Sequence, residues 1–262
     1  MEILNSKIYG AELSGAPVLV FHGLFGMLDN WGSFGKALGE FFPVHLIDLR
    51  NHGKSFHSEE ISHDLMAQDI RNYMEHHQME KVVLLGHSLG GKAVMQFSML
   101  YPELVEKLIV VDMGPKAYPP HHQAILKALN SVDFQPGLSR QEVESILESH
   151  GLEKSVIQFL AKNLTWKEKG LLSWRFNLKT LTEKYQDLVG NPIKYGVYEG
   201  PTLFVKGEKS NYILPQDSFQ IKQQFPHSKV VEVPRAGHWV QSENPVDFNK
   251  EVFEFLGVSK DS

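Results

Sequence analysis

Residues 86–91 read Gly-His-Ser-Leu-Gly-Gly, directly behind the apolar run Lys81-Val-Val-Leu-Leu85 and ahead of the helix-forming stretch Lys92-Ala-Val-Met-Gln-Phe97. A G-x-S-x-G pentad set between a buried strand and a helix implies a sharp turn, and its glycines leave room for backbone where side chains would collide. Ser88 then stands on a strained corner with its hydroxyl lifted clear of the sheet. The helix that follows points its partial positive end at that oxygen. A serine hydroxyl is a weak nucleophile alone, so the geometry has chemical use only beside a base. A glycine-rich turn with an incidental serine is the plainer reading; the strand on one side and the helix on the other argue against it.

The rest of the chain suits such a corner. Short strand-like runs alternate with helical patterns through the first 112 residues: Pro17-Val-Leu-Val-Phe21, Val44-His-Leu-Ile-Asp48, the run at 81–85 and Lys107-Leu-Ile-Val-Val111. A helix from about Ser62 carries Met66, Ile70, Tyr73 and His77 on one stripe. This order predicts an α/β fold, a mostly parallel sheet flanked by helices. From Met113 to about Val197 no strand is evident. Pro119-Pro120, Pro136-Gly137 and Gly151 punctuate three or four amphipathic helices, one with Val156, Ile157, Leu160 and Leu164 on its stripe. Residues 113–197 are therefore expected to form a helical lid inserted after the strand ending at Asp112, with 1–112 and 198–262 as the core. Alternation resumes with Thr202-Leu-Phe-Val-Lys206, a helix from Pro215 and the strand Lys229-Val-Val-Glu-Val233. The final helix has Asn244 as N-cap, Pro245 behind it, Phe248, Val252, Phe255 and Leu256 on one face and Gly257 at its stop.

With 42% hydrophobic and 22% charged residues, 262 residues build a substantial core, normal for one α/β domain carrying an insertion. A formal charge of −5 argues against a general nucleic-acid or anionic-membrane binder. The absence of cysteine removes disulfides, thiol catalysis and Cys-based metal sites, and suits a reducing compartment. No run approaches the roughly 18 apolar residues of a membrane span, and charge interrupts every apolar run near Met1. A cytoplasmic protein is expected, with neither metal nor cofactor; the pairs His76-His77 and His121-His122 are neighbours that diverge on a helix.

Thirteen histidines compete to be the base. His238 stands out in Arg235-Ala-Gly-His-Trp239, a loop after the last predicted strand that opens on the same sheet edge as Ser88. Its place after the serine also fits the α/β-hydrolase chain order. His87, adjacent to the serine on a tight turn, points elsewhere and reads as a supporting residue. An oxyanion formed in acyl transfer needs two donors about 3 Å away. The N–H of Leu89 is one; the loop His22-Gly-Leu-Phe-Gly26 offers the other from Leu24, with Phe25 as the alternative.

His22-Gly23, Asp48-Leu-Arg-Asn-His-Gly-Lys-Ser55, Gly86 to Gly91 and Ala236-Gly-His-Trp239 together resemble the α/β-hydrolase superfamily in the expected order. The similarity runs over nearly the whole chain. Within it the chain is most similar to YbfF-like bacterial esterases, on His22-Gly-Leu-Phe-Gly26 with Leu28-Asp-Asn30, Gly90-Gly-Lys-Ala-Val94 and Trp174-Arg-Phe-Asn177. Many superfamily members carry the triad acid in a Gly-x-x-Asp turn after the penultimate strand. Here that turn reads Gly207-Glu-Lys-Ser210, and a hydroxyl cannot supply the charge that stabilises an imidazolium. Asp112, ending a strand on the catalytic edge, is the candidate, and the YbfF-like resemblance implies the same position. Glu208 and Asp217 remain as alternatives.

The expected activity is that of a serine carboxylesterase acting on a small acyl ester or thioester through an acyl-enzyme. Ser88, His238 and Asp112 are the catalytic candidates; Phe25 and Trp239 are the candidate substrate-binding residues. The same framework serves acyl-CoA thioesterases, C–C bond hydrolases and cofactor-free haloperoxidases, and a non-catalytic ligand receptor could retain it. Residues 113–197 hold eleven Lys/Arg against eight Asp/Glu, so this segment carries +3 and the remainder −8. A basic cover over an acidic body would favour an anionic leaving group such as coenzyme A, although solvated helix faces alone account for the charge.

Overall fold

The computed structural model describes residues 2–194 and 196–258; Met1, Tyr195 and residues 259–262, the tail of the expected core, lie outside it. Strand β1 (Ser6–Tyr9) is followed by β2 (Val18–Phe21), α1 (Gly32–Leu38), β3 (Val44–Ile47), α2 (His63–His76), β4 (Val82–His87), α3 (Leu89–Leu100) and β5 (Val105–Val111). The chain then leaves the sheet through α4 (Gln123–Asn130), α5 (Arg140–Ser149), α6 (Lys154–Ala161), β6 (Leu164–Glu168), β7 (Leu171–Trp174), α7 (Leu178–Glu183) and α8 (Tyr185–Gly190). It returns with β8 (Thr202–Gly207), α9 (Ser218–Gln224), β9 (Ser228–Val233), α10 (Val240–Glu243) and α11 (Pro245–Leu256).

Seven strands form one sheet in the order β1-β3-β2-β4-β5-β8-β9. All neighbours run parallel except the edge strand β1, which pairs antiparallel with β3. The central strands carry apolar runs on both faces because both faces are covered. Leu19, Phe21, Leu84, Leu108, Val110 and Phe204 pack on the side of α2 and α3, while Val18, Val20, Val83, Leu85, Ile109, Val111, Leu203 and Val205 pack on the side of α1 and α11. Side chains of successive strand residues thus feed two separate cores with a period of two.

Caps fix the helix ends that the sequence marks. Ser62 accepts the Leu65 N–H at 3.2 Å to start α2. Asn244 accepts the Asp247 N–H at 3.3 Å with Pro245 in the first turn of α11, and Gly257 ends it in the left-handed region at φ 84°.

Two expectations need correction. Residues 113–197 are not wholly helical: β6 and β7 form an antiparallel hairpin turned at Gly170, φ 83°, and Leu164 belongs to β6 instead of the α6 stripe. The hairpin escaped notice because Thr165-Trp-Lys-Glu-Lys169 is polar and largely exposed, so no apolar alternation announces a strand. The helices between β5 and β8 are also five short ones, not three or four. Strand β1 was likewise unread, being four residues long and nowhere fully buried.

Among the described residues no helix is long and apolar enough to cross a membrane. The excursion between β5 and β8 is tied down by side chains that reach the core. Asn163 donates to the Phe25 carbonyl at 2.8 Å, and Asn177 donates to Asn51 Oδ1 at 3.1 Å and to the Ser58 carbonyl at 3.2 Å. Trp174 stacks on Phe176 at 5.4 Å, and Phe176 meets Phe25 at 5.2 Å. Because the strands are parallel, the chain ends after Phe21, His87, Val111 and Val233 all emerge on one edge, beneath this excursion.

Candidate active site

Between β4 and α3, Ser88 adopts φ 52°, ψ −115°, a conformation that a non-glycine residue holds only when its surroundings over-determine it. They do so here. A Cβ on Gly86 would lie 2.2 Å from the Gly90 carbonyl oxygen, and one on Gly90 would lie 2.6 Å from the carbonyl oxygens of Phe21 and His22. The Ser88 N–H is held by the Val111 carbonyl at 3.1 Å.

His238 comes from the loop after β9. Its Nδ1–H donates to Asp112 Oδ2 at 2.7 Å. Asp112 is fully buried at the end of β5, itself at φ 48°. The same carboxylate accepts the Ser210 hydroxyl at 2.5 Å on Oδ2 and the Gly207 N–H at 3.2 Å on Oδ1. Ser210, in the turn where many superfamily members carry an aspartate, is therefore a donor to the Asp112 carboxylate. Burial pushes the Asp112 carboxyl up to about 6, opposed by those two donors, and pushes the His238 imidazole down to about 3. Near neutrality the pair is a neutral imidazole facing a carboxylate, the state a general base requires. The two other acids considered are engaged elsewhere: Glu208 accepts the Arg235 N–H at 2.6 Å and Asp217 pairs with Lys116 at 2.5 Å.

The loop bearing His238 is clamped on both sides. Glu243 accepts the N–H of Gly237 at 2.8 Å and that of Trp239 at 3.2 Å. His87 Nε2–H donates to the His238 carbonyl at 2.8 Å, so it steadies the backbone at His238. Tyr212 stacks on the His238 ring at 3.9 Å and 15°.

The loop after β2 shows which of its N–H groups is free. The Phe25 N–H donates to His52 Nε2 at 3.2 Å, with Phe25 at φ 58°. The N–H groups of Leu24 and Leu89 have no partner among the described residues. Two buried histidines hold this loop: His52 Nδ1–H donates to the Arg50 carbonyl at 2.9 Å, and His22 Nδ1–H to the Gly23 carbonyl at 2.8 Å while its Nε2 accepts from Leu49 at 3.1 Å. Burial pushes His22 down to about 4 and His52 to about 3, so both stay neutral, as acceptors of backbone N–H must be.

Two small cavities meet at Ser88. One, of about 50 Å³, is bounded by Leu24, Phe25, His87, His238, Trp239 and Phe159 among others. The second, of about 20 Å³, is bounded by Leu89, Lys92, Met113, Tyr118, Leu188 and Tyr212 among others. Leu24, Ser88 and His122 line both. Phe159 of α6 rests on Trp239 at 5.4 Å and closes the first from above. Ser88 and His238, expected from sequence to meet, line one cavity, and Asp112 is bonded to His238. The parts of Glu243, His52 and Ser210 were not legible in sequence, because each acts through a contact with residues far along the chain or through a hydrogen bond no motif encodes. Among the described residues no cluster of His, Asp or Glu is arranged to hold a metal ion.

A family model described as the alpha/beta hydrolase fold matches residues 16–245. The sn-1-specific diacylglycerol lipase of Danio rerio is 35% identical over 97% of this chain and 82% of its own length. Esterase YbfF of Escherichia coli K12 is 35% identical over 88% of this chain and 89% of its own. A marine microorganism esterase superposes with a TM-score of 0.92 at 35% identity, covering 97% of this chain and all of that one.

Proposed function

Because the chain belongs to the α/β-hydrolase family and is a serine ester hydrolase like its relatives, we propose that Ser88 is its nucleophile, His238 its general base and Asp112 its acid. The observation that carries this reading is the 2.7 Å bond from His238 Nδ1 to Asp112, beside a strained Ser88 that lines the same cavity. Ser88 Oγ attacks the acyl carbonyl and His238 Nε2 takes its proton. Asp112 keeps the other imidazole proton on Nδ1 and stabilises the imidazolium that forms. The N–H groups of Leu89 and Leu24 receive the oxyanion; Phe25 is passed over because its N–H serves His52. His238 then returns its proton to the leaving alcohol and activates water for deacylation.

The two cavities divide the substrate. His238 borders the first, so the leaving group, which it must protonate, lies there against Phe25, Phe159 and Trp239. The acyl group enters the second, against Met113, Leu188 and Val189. The first, at about 50 Å³, holds a few water-sized groups and the second, at about 20 Å³, one or two, so residues 113–197 act as a lid that shifts to admit a whole ester and closes over it. A diacylglycerol, which the Danio rerio relative is named for, fits this scheme only with the lid displaced.

The test is covalent. A fluorophosphonate should add once, and peptide mapping should place it on Ser88. Ser88→Ala should lose both the adduct and hydrolysis by several orders of magnitude while remaining folded. An adduct on any other residue refutes the assignment.

A further inference from the structure

His122 lines both cavities at Ser88, yet nothing in the mechanism above uses it. It lies in the excursion between β5 and β8, just ahead of α4. Its tautomer is fixed by counting. Tyr185 Oη accepts the backbone N–H of His121 at 3.0 Å and of His122 at 2.9 Å, which fills both lone pairs. The third contact of that oxygen, 2.8 Å to His122 Nδ1, must then be the tyrosine O–H donating to nitrogen. Nδ1 carries no proton, so the proton of the neutral ring sits on Nε2. Burial holds the ring neutral, pushing it down to about 3, with His121 and His238 adding to the shift. Nε2–H has no partner among the described residues.

The ring is also indexed to the base. His121 packs on His122 at 4.1 Å, its Nδ1–H donates to the Pro119 carbonyl at 2.9 Å, and its Nε2 accepts from the Tyr212 hydroxyl. Tyr212 in turn stacks on His238 at 3.9 Å. A run of four rings thus ties His122 to the imidazole that serves the leaving group.

Building on the assignment of Ser88 and His238, we propose that His122 is a specificity-determining residue. Its Nε2–H binds a neutral oxygen on the alcohol portion of the ester, next to the leaving oxygen that His238 protonates. A neutral donor in a water-poor cavity favours an ether, hydroxyl or second ester oxygen there. It gives a plain alkyl chain nothing and leaves its own proton unpaired beside one. The substrates favoured are esters of 1,2-diols and their derivatives.

The experiment compares 2-methoxyethyl butanoate with butyl butanoate, which differ by one oxygen in place of one methylene. Wild-type kcat/KM should favour the methoxyethyl ester by about three- to tenfold, the worth of one net hydrogen bond. His122→Phe keeps a ring and removes the donor, so the ratio should fall to about one. Tyr185→Phe, which removes the proton that fixes the tautomer, should lower the ratio part of the way and serves if the first variant does not fold. A wild-type ratio of one, or a ratio unchanged in both variants, overturns the proposal. Fluorophosphonate mapping accompanies each protein. Label on Ser88 with an unchanged ratio defeats the role of His122 alone; label elsewhere defeats the assignment on which it rests.

Discussion

Ser210→Ala isolates one hydrogen bond to Asp112, the proposed acid. The Ser210 hydroxyl donates to Asp112 Oδ2 at 2.5 Å and itself accepts the Tyr212 N–H at 3.3 Å, which strengthens it as a donor. A hydrogen bond to a charged acceptor contributes about 1.5–3 kcal/mol and one to a neutral carboxyl about 1 kcal/mol. The difference, about 0.5–2 kcal/mol, favours the carboxylate and centres on roughly one pKa unit at about 1.36 kcal/mol per unit. Asp112 lies at about 6, so without Ser210 it should rise toward about 7. Activity requires the unprotonated pair, so protonation removes the base and kcat/KM falls as pH drops. The acid limb, whose midpoint belongs to Asp112 and His238 jointly, should therefore move up by about one unit. Near pH 7 the variant should retain about half of its plateau activity where wild type retains about nine-tenths, and at about two units higher the gap should vanish. Initial rates on a soluble ester across pH, in buffers of constant ionic strength, measure this. A loss that is equal at every pH, with the limb unmoved, would refute the reasoning.

Asp112→Asn keeps the size and most hydrogen bonds of the acid but removes its charge, so kcat should fall by about 10³–10⁴ with little change in thermal stability. Glu208→Gln and Asp217→Asn should each cost under about tenfold, and collapse of either with Asp112→Asn near wild type would move the acid. If the +3 carried by residues 113–197 steers an anionic leaving group, acyl-CoA turnover should decline with added salt more steeply than turnover of a neutral ester of the same acyl chain. Equal slopes would reduce that charge to solvated helix faces.

What was legible in the sequence follows a physical line. Positions whose meaning is local could be read: Ser88 between a strand and a helix, Asn244 and Pro245 opening α11, the apolar runs of a doubly covered sheet. The position of Asp112 was legible because it follows directly on a strand, and the strand's direction decides which edge it faces. Residues whose meaning is a partner far along the chain could not be read. The clamp of Glu243 on two N–H groups beside His238 requires the fold of α10. The engagement of the Phe25 N–H by His52 requires two loops 27 residues apart to meet. The β6–β7 hairpin was missed for the complementary reason, since only Leu164, Leu172 and Trp174 are buried along it.

The convergence of Asp112 and Ser210 on one oxygen gives the histidine two addresses from which a charge could be delivered, one on β5 and one behind β8. An aspartate introduced at 210 while Asp112 remained would set carboxylate against carboxylate. Such a pair shares a proton instead of ionising twice, so the imidazole would still face one net negative charge. The negative charge could therefore be moved from one strand to the other through a double-acid variant in which the histidine is never left without a counter-charge.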